Sequence, residues 1–92
     1  MVSHELEFRG INRQHLEMYF EELGGKRIVS TETFLAVFAG DGWEAQIVNE
    51  EDLAFTAVFK VNAVKVRFVA KDEASLEELI KRYRYKTTRV GG

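Results

Sequence analysis

Two apolar stripes with helical spacing bracket a long middle that alternates like a sheet, and that bracketing constrains the fold most. Leu16, Tyr19, Phe20 and Leu23 fall at i, i+3, i+4 and i+7, the buried face of an amphipathic helix. The pattern predicts a helix from Arg13 to Leu23 with Asn12 as its N-cap. Gly24-Gly25 should end it, because glycine takes the left-handed position after a last turn without strain. Leu76, Leu79, Ile80 and Tyr83 repeat the spacing near the other end. They predict a second helix from Glu73 to about Tyr83, capped by Asp72. Its acidic start and basic end complement the helix dipole.

The middle reads as strands. His4 to Arg9 alternates, with Leu6 and Phe8 on one face, and Gly10 breaks it. Lys26 to Ser30 is a short strand. Thr33 to Ala39 follows, with Phe34, Ala36 and Phe38 together on one face. Gly40-Asp41-Gly42 signals a hairpin, and Trp43 to Asn49 returns with Trp43, Ala45 and Ile47 facing one way. Glu50-Glu51-Asp52 reads as an exposed turn. Leu53 to Val61 reads equally as a strand or as an apolar crossing segment that caps the core. Ala63 to Ala70 is a strand, with Val64, Val66 and Phe68 inside and Lys65 and Arg67 outside. The order is β-α-β-β-β-β-α. Hairpin-length connections imply a mainly antiparallel sheet of about five strands, with two helices on one face and water on the other. This is an α+β fold. It is not the order of a ubiquitin-type β-grasp, which opens with a hairpin before its first helix.

A chain of 92 residues, 46% hydrophobic and 30% charged, fits one soluble domain. Seven Phe, three Tyr and one Trp supply large buried areas. The absence of cysteine excludes disulfides, thiolate chemistry and cysteine metal sites. The apolar run Phe34 to Ala39 is far short of the roughly 20 residues that span a bilayer, and the opening residues lack the pattern of a signal peptide. A cytoplasmic location is the expectation. A net charge of −2 argues against a general nucleic-acid binder. Cations nevertheless collect at Lys81, Arg82, Arg84, Lys86 and Arg89. The expected organisation is a domain over residues 1–84 and a flexible basic tail over 85–92.

That tail ends in Gly91-Gly92. Ubiquitin-like modifiers and small sulfur carriers end this way because an activating enzyme threads the tail through a narrow channel, which residues without a Cβ pass easily. Arg89 would dock such a tail, Gly91 would give it flexibility, and Gly92 would present the carboxylate to ATP. Other constellations point to less. His4 and His15 lie in different elements without metal-ligand spacing. Ser30 and Ser75 lack a nucleophile-elbow motif. Glu21-Glu22 and Glu50-Glu51-Asp52 sit where carboxylates are solvated. Gly24-Gly25-Lys26-Arg27 follows a helix, so no helix N-terminus faces a phosphate there. Trp43 suits either an exposed anchor or the start of a core strand. Phe34, Phe38, Trp43, Phe55 and Phe59 either fill the core or line an apolar ligand pocket between sheet and helices. Neither a catalytic residue nor a cofactor or metal is expected.

Leu16-Glu17-Met18-Tyr19-Phe20-Glu21-Glu22-Leu23-Gly24-Gly25, and Val64-Lys65-Val66-Arg67-Phe68 followed by an acidic-start helix, resemble the MoaD-related C-terminal domain family. The resemblance runs from about Leu6 to Arg84. It implies a fold similar to the TATA-box-binding-protein class of sheet, and a non-catalytic accessory domain working beside MoaD-type sulfur carriers of the molybdopterin and ubiquitin-like systems. Its implied partner is a protein, either an activating enzyme or the carrier system; nucleic acid and membrane are not implied. The chain departs from the fused family form by lacking a carrier domain and by carrying its own Gly91-Gly92. The alternative reading is therefore a modifier or carrier adenylated at that end.

Overall fold

The computed structural model describes residues 1–28, 34–54 and 56–91, with side chains as far as Thr88. The elements are β1 (Val2–Arg9), α1 (Arg13–Glu22), β2 (Lys26–Ile28), β3 (Ala36–Gly40), β4 (Trp43–Ala54), β5 (Lys60–Ala70) and α2 (Glu73–Gly91). They form one antiparallel five-stranded sheet in the order β1-β5-β4-β3-β2. Helix α1 carries the chain from one sheet edge to the other, and β2 to β5 return as a meander that closes on β1. This is the α+β order expected. Among the described residues, no helix is long and apolar enough to cross a membrane.

Both helical stripes land on the same sheet face. Leu16, Tyr19 and Phe20 of α1, and Leu76, Leu79 and Tyr83 of α2, join one core with Phe8, Phe38, Ile47, Val64, Val66 and Phe68. Tyr83 stands at its centre. Its ring stacks on Phe20 at 4.2 Å between centroids and meets Phe8 and Phe68 edge-on at 5.4 and 5.3 Å. Its hydroxyl donates to the Leu16 carbonyl at 2.8 Å, tying α2 to α1. Burial, and then the neighbouring Tyr19 and Glu17, push the proton affinity of that hydroxyl upward. The opposite face is wet: Arg67 reaches Glu5 at 3.0 Å there, and Lys65 is exposed.

The local signals act as their chemistry requires. The Asn12 side chain accepts from the Gln14 amide at 2.8 Å and caps α1. Gly24 takes a φ of +95° just past the Leu23 cap. Gly25 does different work, because a Cβ there would stand 2.6 Å from the Trp43 ring; one at Gly40 would stand 2.1 Å from it. These two glycines form a slot for the indole, which also lies 6.2 Å from Phe20. Asp72 accepts from the Ser75 amide at 2.7 Å, which caps α2 and holds the Asp72 carboxyl below its ordinary range.

Several expected boundaries move. Glu50-Glu51-Asp52 is not a turn: β4 runs through it, paired with Val64, Ala63 and Asn62 after a register shift between Ile47 and Asn49. Residues 53–61 form neither a separate strand nor a crossing cap. Leu53 and Ala54 pair with Val61 and Lys60, and the Thr56 hydroxyl accepts from the Phe59 amide at 2.9 Å in the connection. Phe34 does not share a face with Ala36 and Phe38; it precedes β3, and its ring lies 5.7 Å from the Arg67 guanidinium on the open face. Ser30, Thr33, Phe55 and Gly92 lie outside the described residues. The largest correction concerns residues 85–92, expected as a flexible tail. Helix α2 continues to Gly91, because its stripe continues too. Thr87 follows Tyr83 at i+4, is 6% exposed, and bonds through its hydroxyl to the Arg84 carbonyl at 3.0 Å.

Candidate functional site

Of the residues expected to act as a tail, 85–91 therefore sit on the distal turns of α2. Arg89 and Gly91 belong to its last turn. The stripe of Leu76, Leu79, Ile80, Tyr83 and Thr87 holds one side of this helix inward, and the other side faces water. Lys81, Arg82, Arg84 and Tyr85 are exposed. Lys86 turns toward the end of α1 and meets Glu22 at 3.6 Å. Among the described residues, Lys81, Arg82 and Arg84 engage no carboxylate. A hollow of about 560 Å³ opens between the ends of the two helices, with Leu23 among its walls and Lys81, Arg82 and Lys86 around it. Glu22 and Glu78 share its rim with four cations, so the rim carries a cationic excess around Leu23 and Tyr85, suited to an acidic surface.

Among the described residues, the aromatic side chains of the pocket considered from sequence do not come together. Phe38 is fully buried and packs on Phe20 at 5.5 Å, and Trp43 occupies its glycine slot beside the same ring. Phe34 lies on the other side of the sheet. Phe59 is 56% exposed and lines a separate open hollow with Asn12, Glu51 and Asn62. The space between sheet and helices is filled by Phe8, Phe20, Phe68 and Tyr83.

The titratable clusters serve structure. Arg13 bridges Glu17 at 3.2 Å and Glu50 at 3.6 Å, joining the first turn of α1 to β4. Glu17 also receives Arg27 at 2.7 Å, and that guanidinium lies 5.8 Å from the Phe38 ring. His4 and His15 are exposed on different elements. Among the described residues, no three His, Asp or Glu gather to hold a metal ion. Sequence reasoning found the cations and set Lys81 and Arg82 on a helix, but missed the helical setting of Arg84 and Lys86. The signal was the spacing of Thr87 behind Tyr83.

No curated protein matches the chain. A family profile described as archaeal MoaD-like protein matches residues 4–92. The match takes in both helices, the whole sheet and the cationic surface, so the chain belongs to the archaeal MoaD-like protein family and is thereby associated with MoaD-type sulfur-carrier systems.

Proposed function

We propose that the chain is a non-catalytic binding partner in a sulfur-carrier system, engaging an acidic protein surface through the distal half of α2. The observation that carries this reading is the set of exposed cations at Lys81, Arg82 and Arg84, which form no ion pair among the described residues, on a helix fixed by Tyr83. The Tyr83 hydroxyl is bonded to Leu16 and Glu17 is clasped by two arginines, so both serve the fold. Titration of the labelled protein with the MoaD-type carrier and its activating enzyme tests the reading. Amide shifts should centre on residues 81–88, and Arg82→Glu should weaken binding about threefold to tenfold. Binding unchanged by Arg82→Glu sinks it.

A second reading takes Gly92 as bearing the terminal carboxylate, and it is favoured by the sequence Gly91-Gly92 in a MoaD-like family. The carboxylate would attack the α-phosphate of ATP with release of pyrophosphate, and hydrosulfide would then displace AMP to leave a thiocarboxylate. An activating enzyme accepts an extended tail, so the last turns of α2 would have to unwind. Thr87, Thr88 and Val90 are β-branched and favour a helix weakly. The described contacts that oppose unwinding are the Lys86–Glu22 pair and the burial of Thr87. Intact-mass measurement after incubation with the activating enzyme and ATP detects an AMP adduct, or an exchange of oxygen for sulfur; an unchanged mass excludes this reading.

A further inference from the structure

The other flank of α2 borders the edge of the sheet. Strand β1 pairs with β5 through Val2 to Arg9 without a register shift, and it is an outer strand. Its second row of backbone donors and acceptors therefore has no strand beside it among the described residues. Natural edge strands are usually short, bulged or interrupted by proline. The opposite edge obeys that rule, since β2 has three residues, all exposed. β1 has eight.

A groove of about 560 Å³ runs between this edge and α2. Leu6, Leu76 and Ile80 form its apolar part. Tyr83 meets Phe8, so α2 runs beside β1 in the same direction. Glu73 and Glu77 thus flank the groove toward Ser3, and Lys81 and Arg84 flank it toward Leu6 and beyond. An unpaired strand edge facing an apolar groove on a helix is the geometry of β-strand addition, in which main-chain bonds give affinity and alternate side chains fill the groove.

We propose that the groove between β1 and α2 binds an extended peptide segment of a protein partner, paired along β1, with alternate apolar side chains on Leu6, Leu76 and Ile80 and carboxylates over Lys81 and Arg84. The proposal rests on the binding-partner reading and gives it a mode. Charge decides the occupant. A second copy of this chain would pair β1 antiparallel with itself. With the helices of both copies on one side, registers centred on Glu5, Leu6 or Glu7 set a carboxylate opposite a carboxylate, which is unfavourable. A segment with acidic residues at one end meets the unmatched cations instead.

The test uses the whole protein and a synthetic peptide of alternating valine and threonine that ends in two aspartates. The peptide should shift the amides of β1 and of residues 76–84, and it should slow hydrogen exchange along β1. The exposed double substitution Lys81→Glu with Arg84→Glu should weaken it about tenfold. The same peptide N-methylated at alternate residues, which cannot complete the ladder, should not bind. Absence of shifts on β1, or equal binding of the N-methylated peptide, overturns the proposal. A β1-mediated dimer by sedimentation overturns it as well, because the edge is then occupied by a second copy. Arg82 faces the hollow and not this groove, so the response to Arg82→Glu tests the partner reading separately.

Discussion

The two halves of α2 share one helix and one apolar stripe, yet different forces hold them. From Glu73 to Tyr83 the stripe is Leu76, Leu79, Ile80 and Tyr83, set into an aromatic core and bolted to α1 by a buried hydrogen bond. From Arg84 onward the buried position is Thr87, and the described tie to α1 is one partly exposed ion pair. The contrast separates two tasks. The first half fixes where the helix lies, whereas the second is held more lightly, and the unpaired cations Lys81, Arg82 and Arg84 straddle the boundary between them.

That contrast predicts a graded series of responses. Tyr83→Ala should cost about 3–5 kcal/mol in denaturant unfolding, since it removes the ring that Phe8, Phe20 and Phe68 surround. Tyr83→Phe keeps the ring but removes the hydroxyl's bond to the Leu16 carbonyl, a loss of about 1 kcal/mol. A pH series sharpens this second result. The folded-state proton affinity of Tyr83 is raised, so its contribution is fully present below the ordinary tyrosine value near 10 and fades as the unfolded chain ionises above it. The stability gap between the parent and Tyr83→Phe should therefore shrink above about pH 10.

In the distal half, Lys86→Glu should cost about 0.5 kcal/mol or less. It should speed amide exchange at residues 86–88 while leaving residues 76–83 unchanged, and Glu22→Lys in the same chain should restore protection. A comparable rise in exchange at Leu79 would show that the two halves are one cooperative unit and would break the comparison. The mildest effect belongs to Asp72, whose depressed value makes it a stabilising cap above the ordinary aspartate range. That contribution disappears as pH falls through the depressed value, so Asp72→Asn should flatten the acid limb of the stability curve.

The elements whose sequence pattern reports burial were readable in advance. Both helical stripes, the Gly40-Asp41-Gly42 turn and the β-α-β-β-β-β-α order follow from period and turn chemistry. β4 was read too short because alternation reports a buried face and not strand pairing. Past Ile47 the ladder continues with exposed acidic residues and a shift in register, which in a sequence looks like a turn. The end of α2 was missed because its buried position holds a threonine, a residue that reads as loop until its hydroxyl is seen bonded to its own helix. Phe34 was misplaced because β3 starts two residues later, at Ala36. The cations of the candidate site were visible in the sequence, but the groove beside β1 was not. Its existence depends on strand order, which places β1 at an edge and α2 alongside it.

The central proposal is that this MoaD-like chain acts by binding, with α2 wound as far as Gly91 and not offered to an activating enzyme. Intact-mass spectrometry after incubation with ATP and the MoaD-type activating enzyme tests it most directly. The account predicts an unchanged mass. A product heavier by one adenylate, or one in which sulfur has replaced oxygen, contradicts it.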